Sequence, residues 1–423
     1  MSRNFSSSFL QEAYERGFVY QCTDIDGLDE LLSKEKVTFY IGCDATADSF
    51  HVGHLVQILM LRLLQKHGHR PVLLIGGATT KIGDPSGRDN ARPTLTDQEI
   101  AYNTDGLRKC LEPYIQFGDE LGNALLVNNA DWLDKLSYIH FLKGTGRYFS
   151  VNRMLTFDTV KSRLEREQPL SLLEFNYMIM QAYDFLELFD RHSCKLQIGG
   201  SDQWGNIVCG TDLIRRARST NVYGLTTPLL STSDGKKMGK SADGAVWLCA
   251  DKLSPYDFWQ YWRNVDDRDV GRFLRLFTDL PLDEICRLEQ LQGQSLNDAK
   301  IILADEITRL THGRETLETV RTTTQSLFGE GAMITAGELL SGPIYEMERE
   351  STIGRESIVD LFVKTCLVSS RSEARRLIKG KGAYLNDQPV LDDILIIKDE
   401  HFDENSTLRL SAGKKRIAVV KLI

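Results

Sequence analysis

Two histidines close to a glycine are the first residues in the sequence that could do chemistry. His51 and His54 enclose Gly53, between a strand-like run ending near Gly42 and an amphipathic stretch from Leu55. The first turn of a helix presents backbone N–H groups and the positive end of the helix dipole, which favour bound phosphate. Imidazoles three residues apart share a helix face and can donate to phosphate oxygens. The spacing therefore indicates a phosphate site at the start of this helix.

A lysine motif lies far downstream of the histidines. Residues 236–241 read Lys-Lys-Met-Gly-Lys-Ser and follow the turn at residues 233–235. A lysine loop alone is typical of a solvated surface. With the histidine motif before it, however, the pair resembles the signature motifs of class I aminoacyl-tRNA synthetases. Gly239 stands where the commonest form of that motif has serine, but both of its lysines, Lys237 and Lys240, are present.

A polar stripe on an apolar helix is the third candidate. In the stretch 174–185, Tyr177, Gln181 and Asp184 fall at positions i, i+4 and i+7, which share one helix face. Polar groups on a buried face must find hydrogen-bond partners or cost stability. Internal hydrogen bonding would satisfy them, but a pocket for a polar ligand explains all three together.

The elements that must position these residues form a βαβ unit. Residues 37–42 predict a strand, residues 55–65 a helix and residues 71–77 a second, buried parallel strand. Such a sheet binds ligands at the carboxyl ends of its strands, where Tyr40 and Asp84 would meet His51. The predicted fold class is α/β, with a Rossmann-like parallel-sheet nucleotide-binding domain.

Other elements follow from periodicity and from glycine and proline positions. The sequence predicts helices at 8–20, 24–35, 103–126 and from 206 to about 218, strands at 195–198 and 225–230, and helices without strands over 252–327. The predicted domains are 1–250 (Rossmann-like, catalytic), 251–330 (α-helical), 331–354 (linker) and 355–423 (a small α+β domain).

Composition limits the class of protein. A chain of 423 residues with 42% hydrophobic and 26% charged residues is typical of a globular protein with two or three domains. The net charge is −8, but residues 355–423 carry 13 Lys or Arg against 10 Asp or Glu. That segment is therefore +3 and the other 354 residues are −11. The basic character, and with it a nucleic-acid partner, is expected at the C-terminal end.

The cysteines and the apolar runs limit the location. The eight cysteines are scattered without a Cys-x-x-Cys pair, which favours reduced thiols and argues against a structural metal site. No apolar run is long enough to span a membrane, and the N-terminus lacks the apolar core of a secretory signal. We therefore expect a cytoplasmic protein without a membrane partner and without a protein-bound metal.

The C-terminal segment has an RNA-binding pattern. Ser370 and Glu373 form a capping box that predicts the start of a helix through Lys379. The pattern Ser-Arg-x-Glu-Ala-Arg-Arg-Leu-Ile-Lys that follows resembles the S4 RNA-binding fold. That resemblance implies that basic residues of this segment contact RNA phosphates: Arg371, Arg375, Arg376, Lys379 and Lys381.

With these residues together, the whole chain resembles the tyrosyl-tRNA synthetases of bacterial or organellar type. The matching motifs occur in family order: Tyr40 to Ser49, His51 to His54, Gly83 to Gly87, Tyr177 to Asp184, Gly200 to Asn206 and the lysine motif. The departures are Ala45 in place of the usual proline, Gln57 at a variable position near the ribose, and Ala130 where tyrosine is common.

The resemblance implies a role for each site residue. Tyr40 and Asp184 would hold the hydroxyl of substrate tyrosine. The α-ammonium would be bound by Asp84, Tyr177 and Gln181, and the carboxylate would face Gln203. ATP would be contacted by Gly42, Asp44, His51, Gly53, His54, Gly200, Asp202, Lys237, Met238 and Lys240. The catalytic cations would be His51, His54, Lys237, Lys240, Arg88 and Arg92. The resemblance further implies ATP with Mg²⁺ as the substrate complex, tRNA(Tyr) as partner, an anticodon-binding role for the helical domain and a homodimer.

Three other functions remain open at this point. Tryptophanyl-tRNA synthetases share the motif pair and the fold, although Tyr40 with Asp184 and the S4-like segment argue against that reading. A non-catalytic RNA-binding protein on a synthetase scaffold is the second, because intact motifs permit catalysis without excluding another role. The third, a different nucleotidyltransferase with the histidine motif, gives no reason for an S4-like segment.

Overall fold

The structure is a computed structural model that describes residues 3–84, 95–235, 238–241, 244–328, 344–368, 370–386, 388–403, 406–413 and 416–423. The chain forms two compact units, one comprising Met1–Cys249 with Val265–Glu306 and the other Ala250–Asn264 with Ile307–Ile423. The histidine motif and the polar stripe of Tyr177, Gln181 and Asp184 fall in the first unit.

The described elements are as follows. The helices are α1 (Ser8–Arg16), α2 (Ile25–Lys34), α3 (Leu55–Lys66), α4 (Gly77–Thr80), α5 (Asp97–Leu111), α6 (Ala130–Leu133), α7 (Tyr138–Gly144), α8 (Val151–Met154), α9 (Asp158–Glu165), α10 (Leu172–His192), α11 (Trp204–Arg218), α12 (Pro255–Arg263), α13 (Val270–Phe277), α14 (Leu282–Leu288), α15 (Leu296–His312), α16 (Arg314–Phe328), α17 (Arg349–Thr352), α18 (Ile358–Lys364) and α19 (Arg371–Lys379). The strands are β1 (Gln21–Cys22), β2 (Thr38–Cys43), β3 (Arg70–Ile75), β4 (Leu125–Asn128), β5 (Cys194–Gly200), β6 (Tyr223–Thr227), β7 (Lys240–Ser241), β8 (Gly244–Ala245), β9 (Ile344–Met347), β10 (Ala383–Leu385), β11 (Gln388–Pro389), β12 (Thr407–Ala412) and β13 (Arg416–Leu422).

A central sheet with the order β1-β6-β5-β2-β3-β4 organises the first unit. All neighbouring strands pair in parallel except the short edge strand β1, which pairs antiparallel with β6. β3 and β5 are buried along almost their whole length, as expected for parallel strands covered by helices on both faces. The prediction of a Rossmann-like α/β domain is confirmed.

The strand order places a switch point at β2. From β2 the chain continues to β3 and β4 on one side of the sheet, and later to β5 and β6 on the other. In open parallel sheets, ligands bind beyond the carboxyl ends of the strands at such a reversal. Asp44 follows β2 directly, and Asp202 follows β5. The switch point therefore determines where the site must form.

The predicted helix over 103–126 is wrong in its second half. The helix α5 ends at Leu111, and residues 125–128 form the edge strand β4 instead. Pro113 cannot continue a helix, and Gly118 and Gly122 adopt positive φ angles of 155° and 96°. The apolar run before Asn128 then adds to the sheet beside β3, because backbone pairing with a buried strand outweighs weak local helix preference.

The second unit contains a sheet with the order β11-β10-β12-β13-β9. Buried side chains of α18, α19 and these strands form its core, including Phe362, Ile378 and Leu410. Residues 344–347 fall within the predicted linker, but they form β9 and pair in parallel with β13. The pairing explains the difference, because the C-terminal strand offers an edge that the local composition of the segment does not reveal.

Candidate active site

Tyr40 and Asp184 are both buried at one end of the site. Tyr40 lies on β2 with 1% of its surface exposed, and its ring packs 5.3 Å from that of Phe185 on α10. Its hydroxyl has no hydrogen-bond partner among the described residues. Burial raises the pKa of Tyr40 well above its usual range, and the Asp184 carboxylate adds to this shift. The hydroxyl is therefore a neutral group with unused hydrogen-bonding capacity.

Asp184 is held by two donors that the sequence analysis did not assign. Trp132 donates from Nε1 to Oδ1 at 2.7 Å, and Asn129 donates from Nδ2 to Oδ2 at 2.9 Å. Burial raises the pKa of Asp184 to about 7, although these two hydrogen bonds act in the opposite direction. Asn129 follows β4 directly and Trp132 lies on the short helix α6 just after it, so their position after a strand was the signal that could have identified them.

The hydrogen bonds continue from Asn129 to the carboxylate after β2. Asn129 also donates to Thr79 Oγ1 at 3.0 Å, and Thr79 donates to Asp44 Oδ1 at 2.9 Å. The Tyr177 hydroxyl lies 3.3 and 3.4 Å from the two carboxylate oxygens of Asp44. Sequence reasoning missed Thr79. The network links Asp44 and Tyr177, which were predicted for ATP and the ammonium, to Asp184.

A second group of amides and carboxylates lies around Asn206. Gln203 donates from Nε2 to Asp84 Oδ2 at 2.9 Å. Asn206 donates from Nδ2 to the side-chain oxygens of Gln181 at 2.9 Å and Gln203 at 3.1 Å. The structure thus brings together Asp84, Gln181 and Gln203, and their predicted roles toward the substrate remain predictions. It also adds Asn206 as the residue that orients the two glutamines.

The histidine motif forms a single turn of 3₁₀ helix, Val52–His54, capped by His51. His51 Nδ1 accepts from the Gly53 N–H at 3.1 Å, and His54 Nδ1 accepts from the His51 N–H at 3.3 Å. The ring centroids are 4.1 Å apart. Since each Nδ1 is an acceptor, the proton of each neutral imidazole lies on Nε2. Both rings therefore present Nε2–H donors suited to phosphate oxygens.

The lysine motif packs against the histidine motif. Gly239 has a φ of 123°, and a Cβ atom there would lie 2.9 Å from the imidazole of His51. A Cβ at Gly53 would lie 3.0 Å from the Met238 carbonyl oxygen. Met238 is buried, and its N–H donates to the Leu230 carbonyl at 2.9 Å. Glycine at residues 53 and 239 is therefore what permits this close approach.

The cationic side chains predicted to bind phosphate, other than the two histidines, are not among those that the structure describes. Arg88, Arg92 and Lys237 lie outside the described residues. Lys240 is in β7, but its side chain is also outside the described part of the structure. Their predicted roles at the phosphates remain predictions.

The glycine at the end of β5 presents bare backbone. Gly200 is buried, and a Cβ there would lie 2.6 Å from Asp202 Oδ1 and 3.3 Å from Gln57 Nε2. Gln57 in turn donates to Thr227 Oγ1 at 3.1 Å. Gly42, also predicted to contact ATP, is exposed at the end of β2. These residues line the carboxyl ends of three adjacent strands.

The predicted RNA-binding residues lie on or just after α19 in the second unit. Arg371, Arg375, Arg376, Lys379 and Lys381 are all exposed. Two of these arginines have acidic neighbours, since Arg371 lies 2.5 Å from Asp360 and Arg375 lies 3.5 Å from Asp393. The structure therefore presents a basic surface on this helix.

The described residues contain neither a metal-binding cluster nor a membrane-spanning helix. Within the described ranges, no three His, Cys, Asp or Glu side chains are arranged to hold a metal ion. In the same part of the chain, no helix is both long and apolar enough to cross a bilayer.

Comparison with known proteins identifies similar chains. Residues 32–329 match the family model described as tRNA synthetases class I (W and Y). The chain is 53% identical over 420 residues to a tyrosine–tRNA ligase of Xanthobacter autotrophicus, covering 99% of both chains. It is 52% identical over 417 residues to a tyrosine–tRNA ligase of Rhodospirillum rubrum, covering 99% of this chain and 98% of that one.

A solved structure also matches. The fold superposes on the crystal structure of a C-terminally truncated mitochondrial tyrosyl-tRNA synthetase of Aspergillus nidulans with a TM-score of 0.67 and 32% identity. The match covers 76% of this chain and 94% of that one.

Proposed function

The chain belongs to the class I tRNA synthetases for tryptophan and tyrosine, it ligates tyrosine to tRNA, and we propose that the residues around Asp184 and His51 carry out this reaction. The observation that supports this assignment best is the buried pair of Tyr40 and Asp184. A neutral hydroxyl without a partner and an oriented carboxylate suit the phenolic hydroxyl of tyrosine. Phenylalanine would leave the buried Tyr40 hydroxyl without a partner, which penalises its binding.

The other end of the amino acid would be bound by the groups around Asn206 and Asp44. Asp84, Tyr177 and Gln181 would bind the α-ammonium, and the Asp84 carboxylate, which accepts from Gln203, supports a cationic ligand there. Gln203 would face the substrate carboxylate and orient it. The existing hydrogen bonds among these side chains support the proposal because they hold the donors and acceptors in place before substrate arrives.

The activation step needs alignment and charge neutralisation more than proton transfer. The substrate carboxylate has a pKa of about 3.5 and is already an ionised nucleophile at neutral pH, so no general base is required. It attacks the α-phosphorus of ATP, forms tyrosyl-adenylate and displaces pyrophosphate. His51 and His54 would donate to the phosphates through Nε2–H while charge grows on the leaving group.

Cations from the loops would complete the phosphate site. We assign Lys237, Lys240, Arg88 and Arg92 to the phosphates on the basis of the family resemblance. The packing of Gly239 and Met238 on the histidine motif supports this for the lysines, since it places the motif's backbone beside His51. Mg²⁺ would enter as part of the ATP substrate, because it prefers phosphate oxygens and retained waters.

The adenosine would lie against the carboxyl ends of the strands. Gly42, Gly53 and Gly200 supply backbone without side chains, and Asp44 and Asp202 lie beside them. Carboxylates are suited to accept from ribose hydroxyls. The Asp202 carboxylate beside Gly200 supports a ribose position there.

Transfer to tRNA(Tyr) would use the C-terminal half of the chain. We propose that residues 1–250 form the catalytic domain, 251–330 a helical anticodon-binding domain, and 355–423 an S4-like RNA-binding domain. The segment 331–354, predicted as a linker, contributes β9 to the sheet of that last domain. The exposed basic face of α19, on a small sheet-and-helix core, supports the last assignment. Its net positive charge within an otherwise acidic chain supports it further.

A homodimer would use the segment between β4 and α10. Large apolar side chains are exposed there, including Tyr138, Ile139, Val151 and Leu172. Exposed apolar side chains concentrated in one segment are typical of a protein interface. We further propose a cytoplasmic location, which the eight free cysteines of the chain support.

The test is amino-acid-dependent exchange between ATP and pyrophosphate, measured with the purified full chain, Mg²⁺ and each of the twenty amino acids. We expect exchange with tyrosine alone. Exchange with tryptophan would contradict the assignment of Tyr40 and Asp184 to a phenolic hydroxyl. No exchange with any amino acid would contradict the proposed activation chemistry.

A further inference from the structure

Residues 231–233, which precede the lysine motif and are called here the base of the lysine loop, are hydrogen-bonded to the turn that precedes α13 and to its first turn. Asp269 Oδ2 accepts from the Ser233 N–H at 2.9 Å, and Arg272 donates to the Ser231 carbonyl. Arg272 also donates to Asp269 Oδ1 at 2.9 Å. Asp269 is 3% exposed, whereas the side chain of Arg272 is exposed to solvent. The two residues together bond backbone groups on both sides of Thr232.

Asp269 lies at the junction of two helical segments. It is the last residue of a 3₁₀ turn, Asp267–Asp269, which is capped by Asp266 and leads directly into α13. Its side chain makes no capping hydrogen bond to α13, and its two oxygens accept instead from the Ser233 N–H and from Arg272. The carboxylate therefore joins the start of α13 to the loop, which suits a positioning role.

The residues just before the loop base, Leu229 and Leu230, are not tightly packed on all sides. Leu229 and Leu230 line a cavity of about 320 Å³, together with Val56, Leu276 and Arg272. A backbone segment beside a cavity has fewer van der Waals contacts to hold it than one in a filled core. The hydrogen bonds from Asp269 and Arg272 therefore add to the contacts that hold Ser231 and Ser233.

The other end of the loop is held by the active site. Met238 and Gly239 pack on Gly53 and His51, as described above, and the Gly239 carbonyl accepts from the Val246 N–H at 3.1 Å. We propose that Asp269 and Arg272 are positioning residues that fix the base of the lysine loop so that its lysines reach the phosphates of ATP. This inference rests on the proposed function of the loop.

The test compares Arg272→Met with a matched control, Arg287→Met. Arg287 forms the same kind of i, i+3 ion pair with Glu284 in the same unit and is also exposed, but among the described residues it bonds no loop backbone. We expect Arg272→Met to lower kcat for adenylate formation about ten- to a hundredfold, the cost typical of misplaced catalytic groups. The dissociation constant of tyrosine, measured by equilibrium dialysis, should change less than about twofold, and Arg287→Met should resemble wild type.

Two further variants distinguish positioning from general destabilisation. Arg272→Lys keeps one charged donor and should restore part of the lost kcat. Because Arg272 acts through the loop, Arg272→Met combined with Lys240→Ala should lose less than the product of the single losses. Multiplicative losses, or a kcat for Arg272→Met equal to that of Arg287→Met, would overturn the inference.

Failure of the proposed function and failure of the positioning role give different experimental results. Wild-type protein that gives no exchange with tyrosine contradicts the proposed function before any variant is compared. Wild-type exchange that Lys240→Ala leaves unchanged contradicts the role of the loop, and with it the inference. An equal fall in tyrosine affinity and in kcat for Arg272→Met would show a structural role and overturn positioning.

Discussion

Removing the Tyr40 hydroxyl should raise the free energy of unfolding of the substrate-free protein and lower kcat/KM for tyrosine. The hydroxyl is buried and has no hydrogen-bond partner among the described residues. A buried polar group in that state costs about 1–3 kcal/mol of desolvation that no hydrogen bond offsets. The substitution Tyr40→Phe removes this cost and leaves the ring in contact with Phe185. We therefore expect the free energy of unfolding to rise by about 1–2 kcal/mol.

The functional effect has the opposite sign. Tyr40→Phe removes one neutral hydrogen bond to substrate, worth about 0.5–1.5 kcal/mol, so kcat/KM for tyrosine should fall by about two- to thirteenfold. Asp184 still accepts from the substrate hydroxyl, which keeps the loss moderate. The kcat/KM for phenylalanine should stay level or rise, because one group that phenylalanine leaves unsatisfied has been removed.

The assays are thermal and chemical unfolding without tyrosine, and pyrophosphate exchange with tyrosine and with phenylalanine. The matched control is Tyr177→Phe, which loses a hydroxyl that lies 3.3 Å from the Asp44 carboxylate and should therefore lower the free energy of unfolding. If Tyr40→Phe lowers the unfolding free energy as Tyr177→Phe does, the Tyr40 hydroxyl has a partner in the free protein. The reasoning that it is kept for a ligand would then be refuted.

Three further predictions address the rest of the site. Burial raises the pKa of Asp184 from 3.8 to about 7, so its charged form is disfavoured in the folded state. The free energy of unfolding should therefore fall as the pH rises from about 4 through 7. The substitution Asp184→Asn should flatten this pH dependence. Lys240→Ala should slow adenylate formation in stopped-flow kinetics far more than it weakens tyrosine binding, and equal losses would contradict its phosphate role. The double substitution Arg375→Glu with Arg376→Glu should reduce tRNA charging at least about tenfold and leave pyrophosphate exchange unchanged, because phosphate contacts dominate affinity for RNA. Unchanged charging would contradict an RNA surface on α19.

Local patterns were sufficient for the parts of the site that come from one element. The turn at His51–His54 and the stripe of Tyr177, Gln181 and Asp184 depend on helix geometry, which sequence spacing specifies directly. The parallel sheet was also predictable, because its strands are short apolar runs separated by helical patterns. The local pattern failed at 112–128 and at 344–347, where pairing with distant strands β3 and β13 decided the structure.

The sequence by itself determined the α/β fold, the family resemblance and the residue types that chemistry requires. Tertiary structure alone decided which groups share hydrogen bonds: Trp132 and Asn129 on Asp184, Asn206 between Gln181 and Gln203, and Asp269 on the lysine loop. These partners are between 3 and 55 residues apart along the chain. The physical reason is that a hydrogen bond depends on the distance and direction between two atoms, and for groups on different elements only the packed fold fixes both.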